Sequence, residues 1–250
     1  AMKHTKSWCL VFLLFIGFEA FSQKTFRPYT KQEITAIRKY RKVISSKESS
    51  YYVLILTDMG DMVVKLYNET PFHRDNFINK VKSGFYDSLL FHRVINNFMI
   101  QGGDPSSKKA VAGQSLGSGS AQGERIPAEF RTGNGIYHKR GVLAAARDNN
   151  PQKASSNCQF YIVQRPVWRT TELDSTVTQR NLTINDAQKK IYTTLGGTPH
   201  LDGAYTVFGE LVVGWEVLDK IAATKTNRFD RPEQDIRMRM FLLREPKFKK

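Results

Sequence analysis

From residue 51 onward the chain is a succession of short apolar runs of strand length, and this feature limits the folds open to it. The runs cover 51–57, 62–67, 89–95, 98–101, 141–146, 159–163, 205–212 and 236–243. The last alternates: Ile236, Met238, Met240 and Leu242 fall on one side and Arg237, Arg239 and Phe241 on the other, the period of a strand. Asp58-Met59-Gly60-Asp61 joins the first two runs as a hairpin signal. Two helices interrupt the series. The first takes Thr70 as its N-cap, Pro71 at its first position, Phe72, Phe77, Ile78 and Val81 as its buried stripe, and Gly84 as its stop. The second covers 215–223. Strands so closely spaced, with so few helices between them, predict an antiparallel barrel rather than βαβ units, which need a helix at each crossover.

Ahead of this core, residues 30–44 predict an amphipathic helix, with Ile34, Ile37, Tyr40 or Arg41, and Ile44 on one face, ended by the polar run 45–50. Further back, Lys3 and Lys6 precede an apolar run from Trp8 to Phe18, and Ala20-Phe21-Ser22 is a small-x-small site before Gln23. That order is expected of a cleaved export signal over 1–22, which touches a membrane only in transit; Glu19 breaks the run before it reaches a spanning length. The expected layout is therefore a signal at 1–22, a basic helical extension at 23–50 and one domain at 51–250, exported to a periplasm or the medium. Loss of the signal removes Cys9 and leaves Cys158 alone, so no internal disulfide can form. Cys158 sits in an apolar strand run, where a thiol packs as a small hydrophobe.

The net charge of +15 raises the question of nucleic acid. Much of the excess is local: Lys24, Arg27, Lys31, Arg38, Lys39, Arg41, Lys42 and Lys47 crowd the extension, and Lys247, Lys249 and Lys250 the C-terminus. No helix-turn-helix, zinc-finger or RNA-recognition signature accompanies them, so a solvated basic arm is expected and no specific nucleic-acid partner.

Familiar catalytic arrangements are missing. The histidines His4, His73, His92, His138 and His200 are scattered, which argues against a metal site. Gly117-Ser118-Gly119-Ser120-Ala121 fails the nucleophile-elbow pattern at its last position. The Gly- and Ser-rich stretch 113–123 lacks the Gly-Lys-Ser/Thr ending of a phosphate loop and reads as a plain surface loop. The informative stretch is 91–104. Strict alternation there puts His92 and Val94 on one face and Phe91, Arg93 and Ile95 on the other; Phe98, Met99 and Gln101 follow the Asn96-Asn97 turn. One arginine, one amide and two large apolar side chains thus come close together.

Phe91-His92-Arg93-Val94-Ile95-Asn96-Asn97-Phe98-Met99-Ile100-Gln101-Gly102-Gly103-Asp104 resembles the signature of the cyclophilins. The resemblance continues in order through Ile126-Pro127-Ala128-Glu129-Phe130, Gly141-Val142-Leu143-Ala144-Ala145-Ala146-Arg147, Ser156-Asn157-Cys158-Gln159-Phe160-Tyr161-Ile162 and Leu201-Asp202-Gly203-Ala204-Tyr205-Thr206-Val207-Phe208-Gly209. It implies a mainly β fold, an eight-stranded antiparallel barrel capped by two α-helices. It also implies peptidyl-prolyl cis/trans isomerase activity with no cofactor, on proline-containing polypeptides. By the same resemblance Arg93 is the catalytic arginine and Gln101 the glutamine that acts beside it. Phe98, Met99, Tyr161 and Leu201 form the proline pocket, and Ala146 and Arg147 meet the substrate backbone. Gln159 and Tyr205 complete the substrate-binding set, Tyr205 standing where many members carry His. A scaffold or chaperone that binds proline segments with little catalysis is the alternative.

Three departures stand out. Tyr161 replaces the usual Phe, so its hydroxyl needs a partner. His200 lies where many eukaryotic members have Trp, which predicts only weak cyclosporin binding. An insertion at 165–199 replaces a short loop. Thr183-x-x-Asp186 is expected to cap a helix there, with Ile184, Ala187, Ile191 and Leu195 along one side and Gly196-Gly197 as its stop. By the family's topology this helix packs beside the pocket.

Overall fold

The computed structural model describes residues 28–44 and 49–244. The expected export signal, Cys9 and the C-terminal lysines lie outside the described residues.

β1 (Tyr51–Thr57) and β2 (Gly60–Leu66) form the opening hairpin around Asp58-Met59, and Gly60 takes φ +134°, a conformation that favours glycine. α2 (Pro71–Lys82) follows, then β3 (Phe91–Ile95), β4 (Met99–Gly102), β5 (Val142–Ala145), β6 (Phe160–Val163), β7 (Val207–Val213), α5 (Trp215–Ala222) and β8 (Met238–Arg244). α1 (Lys31–Val43) precedes the barrel, and α3 (Thr170–Gln179) and α4 (Asp186–Thr194) lie in the insertion between β6 and β7. The eight strands pair antiparallel in the order β3-β4-β6-β5-β7-β2-β1-β8. The two ends of that order meet where Leu90 bridges Arg237 and Phe91 N–H donates to Ile236 C=O (3.0 Å), so the sheet curls into the expected barrel. No described helix is long and apolar enough to cross a membrane.

Alternation decides what lies inside. Ile100 of β4, Leu143 and Ala145 of β5, and Phe160 and Ile162 of β6 point into the barrel with Val53, Ile55, Met62, Val64 and Leu66. α2 plugs this core with Phe77, Ile78 and Val81, and α5 with Val217, Leu218 and Ile221. The intervening residues Met99, Val142, Ala144, Tyr161 and Val163 form a second apolar layer on the outer face of the same strands.

Several local expectations are corrected. Phe72 is 63% exposed, and His73 takes its place in the buried stripe of α2. Thr70 makes no side-chain cap. Glu129 caps α2 instead, accepting from the Phe72 (3.2 Å) and His73 (3.0 Å) amides and from His73 Nδ1 (2.6 Å), while His73 Nε2 meets Ser155 Oγ (2.9 Å). Burial would raise the Glu129 pKa, but these bonds, the His73 side chain foremost, hold it below the usual carboxylate range.

α1 is rotated from its expected face, burying Glu33, Ile37 and Tyr40 and leaving Ile34 exposed, because Glu33 closes a capping box with Thr30 and pairs with Arg239. The strict alternation drawn through Phe91 and Val94 is broken by a register shift between Phe91 and Arg93, so both side chains enter the core. The insertion holds two helices, not one. α4 starts from an Asn185/Gln188 capping box rather than Thr183/Asp186, and it buries Gln188 and Tyr192, leaving Ala187 and Leu195 exposed.

Candidate active site

The register of four strands assembles the site. Arg93 pairs with Gln101, Gln101 with Tyr161, and Tyr161 with Ala144, so these residues form one row across β3, β4, β6 and β5. Residues in one row share a face and stand about 5 Å apart, so a guanidinium, an amide and an aromatic wall are lateral neighbours on the outer surface. The next row pairs Ile95 with Met99 and Met99 with Val163.

The apolar part is a cluster of Met99, Tyr161, Ala146, Val163 and Val207, with Phe98, Leu201, Tyr205 and Ile95 packed at its edge. Tyr161 meets Tyr205 edge-on, ring centroids 6.0 Å apart, and Phe98 stacks on His200 at 5.8 Å. Burial lowers the His200 pKa to about 4, helped by the positive charge of Arg180 in the insertion, so this ring is neutral at pH 7.

Arg93 is anchored from one side only. Its Nε lies 3.4 Å from Asp230 Oδ2, both side chains remain about two-fifths exposed (43% and 41%), and the Asp230 C=O accepts from Val94 N–H (2.8 Å). An ion pair this exposed adds little stability and serves to aim the guanidinium.

The polar part is more tightly held. Gln101 Nε2 donates to Gln159 Oε1 (3.0 Å), and Gln159 Nε2 donates to the carbonyls of Gly117 (3.0 Å) and Gly119 (2.7 Å). Asp104, fully buried, accepts from the amides of those glycines, and a Cβ on Gly119 would fall 2.0 Å from its Oδ1. Burial opposes ionisation of Asp104, yet bonds from the Ser106 hydroxyl and the Gly117 amide outweigh it and keep the pKa low. The stretch expected to be a plain surface loop is thus a pinned wall. With Gln101, Ala146, Arg147, Gln159, Asn157 and Arg125 it encloses a cleft of about 870 Å³.

The predicted residues therefore split between two adjoining places. Gln101, Arg147 and Gln159 line the cleft, Phe98, Met99, Tyr161, Leu201 and Tyr205 make the apolar cluster, and Ala146 belongs to both. The Ala146 N–H donates to Gln159 C=O (3.0 Å), and its C=O accepts from Ser156 N–H (2.8 Å) and keeps a second lone pair. Arg147 is held by its side chain, which donates to Ala204 C=O (2.9 Å) and lies over the Tyr205 ring (4.6 Å).

Sequence reasoning missed His138. Its Nε2 lies 3.0 Å from the Tyr161 hydroxyl and it is almost fully buried, yet nothing in Tyr137-His138-Lys139-Arg140 marks it. The unmet hydroxyl of Tyr161 was the available signal.

A family model described as cyclophilin type peptidyl-prolyl cis-trans isomerase/CLD matches residues 52–241. A putative peptidyl-prolyl cis-trans isomerase of Staphylococcus haemolyticus is 35% identical over 191 residues, covering 76% of this chain and 89% of that protein. One from Staphylococcus aureus is 37% identical over 186 residues, 74% of this chain and 87% of that protein. A putative bifunctional phosphatase/peptidyl-prolyl cis-trans isomerase of Streptococcus pyogenes is 36% identical over 199 residues; the alignment takes in 74% of this chain but spans only 37% of that longer protein. The crystal structure of a Cryptosporidium parvum cyclophilin type isomerase superposes with a TM-score of 0.58 at 23% identity, covering 77% of this chain and 97% of that one. The fold is shared. A second structure of that protein, solved in the presence of the dipeptide Ala-Pro, has a TM-score of 0.57 at 23% identity, covering 76% and 98%.

Proposed function

This chain belongs to the cyclophilin-type peptidyl-prolyl cis-trans isomerase family and is such an isomerase, and from that premise we propose that Arg93 assists the turning of X-Pro bonds in exported polypeptides without covalent chemistry. The observation that carries the reading is the row Arg93–Gln101–Tyr161, a cation and an amide set beside an apolar wall.

Amide resonance opposes rotation with a barrier of about 18–20 kcal/mol. In the twisted transition state that resonance is lost: the prolyl nitrogen regains a lone pair and the amide becomes less polar. An apolar wall of Phe98, Met99, Tyr161 and Leu201 that grips the proline ring favours the twisted, less polar state over the planar, solvated one. Arg93 donates a hydrogen bond to the nitrogen as its lone pair appears, an interaction the ground state lacks, so the contact lowers the barrier rather than merely tightening binding. Gln101 keeps one N–H engaged with Gln159 and directs the second to the substrate carbonyl. Ala146, whose N–H is held by Gln159 C=O, offers its carbonyl to the residue before proline together with the backbone of Arg147.

One charged hydrogen bond contributes about 1.5–3 kcal/mol. A rate enhancement of about 10⁶ needs roughly 8 kcal/mol. Positioning and preorganised dipoles in the site supply the difference.

Several points support the finer reading. The order of basic, apolar and small-x-small residues at 1–22 supports export, testable by fractionating cells that express the full chain. The Ala-Pro dipeptide present with the C. parvum relative supports proline peptides as ligands. His200, stacked on Phe98, supports weak cyclosporin binding.

The decisive measurement is isomer exchange of a short Ala-Pro peptide by magnetisation transfer, wild type against Arg93→Ala. Arg93→Ala is expected to cut kcat/KM about 10²-fold, the equivalent of roughly 3 kcal/mol. Undiminished exchange would remove Arg93 from the catalytic machinery and leave the apolar wall and Gln101 to carry the turnover.

A further inference from the structure

We propose that the two-helix insertion positions the apolar pocket, acting through Asp202 and His138 on the hydroxyl of Tyr161. The proposal rests on the reading of Tyr161 as a pocket wall.

The hydrogen bonds converge on Asp202 from the pocket and from the insertion. Asp202 Oδ1 accepts from the His138 backbone N–H (2.8 Å) and lies 3.0 Å from His138 Nδ1. An ionised carboxylate only accepts, so Nδ1 carries the imidazole proton and Nε2 is left as the acceptor for the Tyr161 O–H, 3.0 Å away. On its other oxygen Asp202 accepts from Gln188 Nε2 (2.8 Å) and from the Tyr192 hydroxyl, both on α4. Tyr161 and Tyr192 both have pKa values raised by burial first and by neighbouring phenol or carboxylate charge second, so each phenol stays protonated and donates. The chain orients a side chain and moves no proton.

The insertion is built to hold this chain still. Tyr192 is fully buried and packs with Leu173 of α3 and with Tyr137, the residue before His138. Tyr137 thus enters the insertion's own apolar cluster while His138 turns toward Tyr161, which clamps the segment between insertion and barrel. The far end of the insertion closes on the same segment. Lys139 bridges Gly197, Thr198 N–H donates to the His138 carbonyl (2.8 Å), and a Cβ on Gly197 would fall 2.1 Å from that carbonyl. A phenylalanine at position 161 would need none of this. A tyrosine whose ring is 95% buried needs an acceptor, and the acceptor is aimed by the insertion. His138, Asp202 and Tyr192 are positioning residues; none of them is placed at the reacting bond.

The test compares wild type, Tyr192→Phe, Tyr161→Phe and the double variant, with kcat and KM from Ala-Pro peptide exchange and with the His138 ring nitrogens read by ¹⁵N NMR. Tyr192→Phe keeps the buried ring and removes only its hydroxyl. It is expected to raise KM about tenfold while kcat stays within about twofold, and to shift the His138 nitrogens away from a single Nδ1–H tautomer. Added to Tyr161→Phe, it is expected to change neither constant further, because the chain then has no end to act on. An unchanged KM in folded Tyr192→Phe overturns the proposal, and so does an equal loss in both backgrounds, which would mark Tyr192 as general packing. Should Tyr192→Phe not fold, Asp202→Asn gives the same readout, since an amide of the same shape cannot accept all four bonds. Arg93→Ala serves as the control. If its turnover is undiminished, the reading of Arg93 fails by itself, while the KM of Tyr192→Phe is still read from the exchange that remains.

Discussion

Two segments are added to the barrel, and they are tied down by different chemistry. α1 lies on the outer face of β1 and β8, where Ile37 and Tyr40 pack on Leu54, Val63, Phe241 and Leu243. Its polar ties stay at that face: Glu33 to Arg239, Tyr40 hydroxyl to Asp61 (3.1 Å), Arg41 Nε to the Leu243 carbonyl (3.0 Å). α3 and α4 bury a smaller cluster around Leu173 and Tyr192, and their polar tie does not stop at the contact. It continues through Asp202 and His138 into the pocket. An apolar cover adds stability without direction, because the hydrophobic effect has none. A buried chain of hydrogen bonds carries direction, because each donor tolerates a narrow range of angles.

The sharpest way to break this comparison is Asp202→Ala. It strands His138 Nδ1, Gln188 and the Tyr192 hydroxyl without their acceptor, and urea unfolding should record a loss of about 3 kcal/mol together with a raised KM. Stability near wild type would mean that the carboxylate is not the junction of the insertion. Ile37→Ala is the matched change at the back. It should cost about 2 kcal/mol by the same measurement and leave kcat/KM within about twofold of wild type. A catalytic loss as large as that of a front-face variant would dissolve the distinction.

A separate effect is one of pH, and α1, which carries no histidine, has no part in it. Burial depresses the His92 and His200 pKa values to about 4 each. The unfolded chain, with histidine near 6.5, then binds more protons than the folded one between about pH 6.5 and 4, so stability is complete above that window and falls as pH drops through it. For His92, almost fully buried, the slope approaches about 1.4 kcal/mol per pH unit. Unfolding curves at pH 7.5, 5.5 and 4.5 measure it. A His92→Phe variant with the same slope would remove that residue as the cause.

The barrel was legible because its signals are local. Alternation in 236–243 and the apolar runs before it mark strands wherever the chain goes afterwards. α3 was not legible: Thr170–Gln179 is rich in Thr and Ser, and its single buried residue, Leu173, is held by Tyr137 and Tyr192 from outside the helix. The start of α4 was displaced by two residues because Thr183 and Asn185 are both good caps, and only the reach of Gln188 back to the Asn185 amide (3.0 Å) decides between them. Phe72 was assigned inward on hydrophobicity, whereas the helix turned to bring His73 to Glu129 and Ser155. The residues assigned to the pocket were read through the resemblance, and their arrangement in one row needed the register of strands about sixty residues apart.

By itself the sequence determined the strand and helix periods, the family, and the residue types available to the site, since these follow from neighbours a few positions apart. The tertiary structure decided which buried polar groups meet, His138 with Tyr161 and Glu129 with the start of α2. Such pairs join distant positions, and their energy depends on tenths of an ångström and on angles that no local pattern encodes.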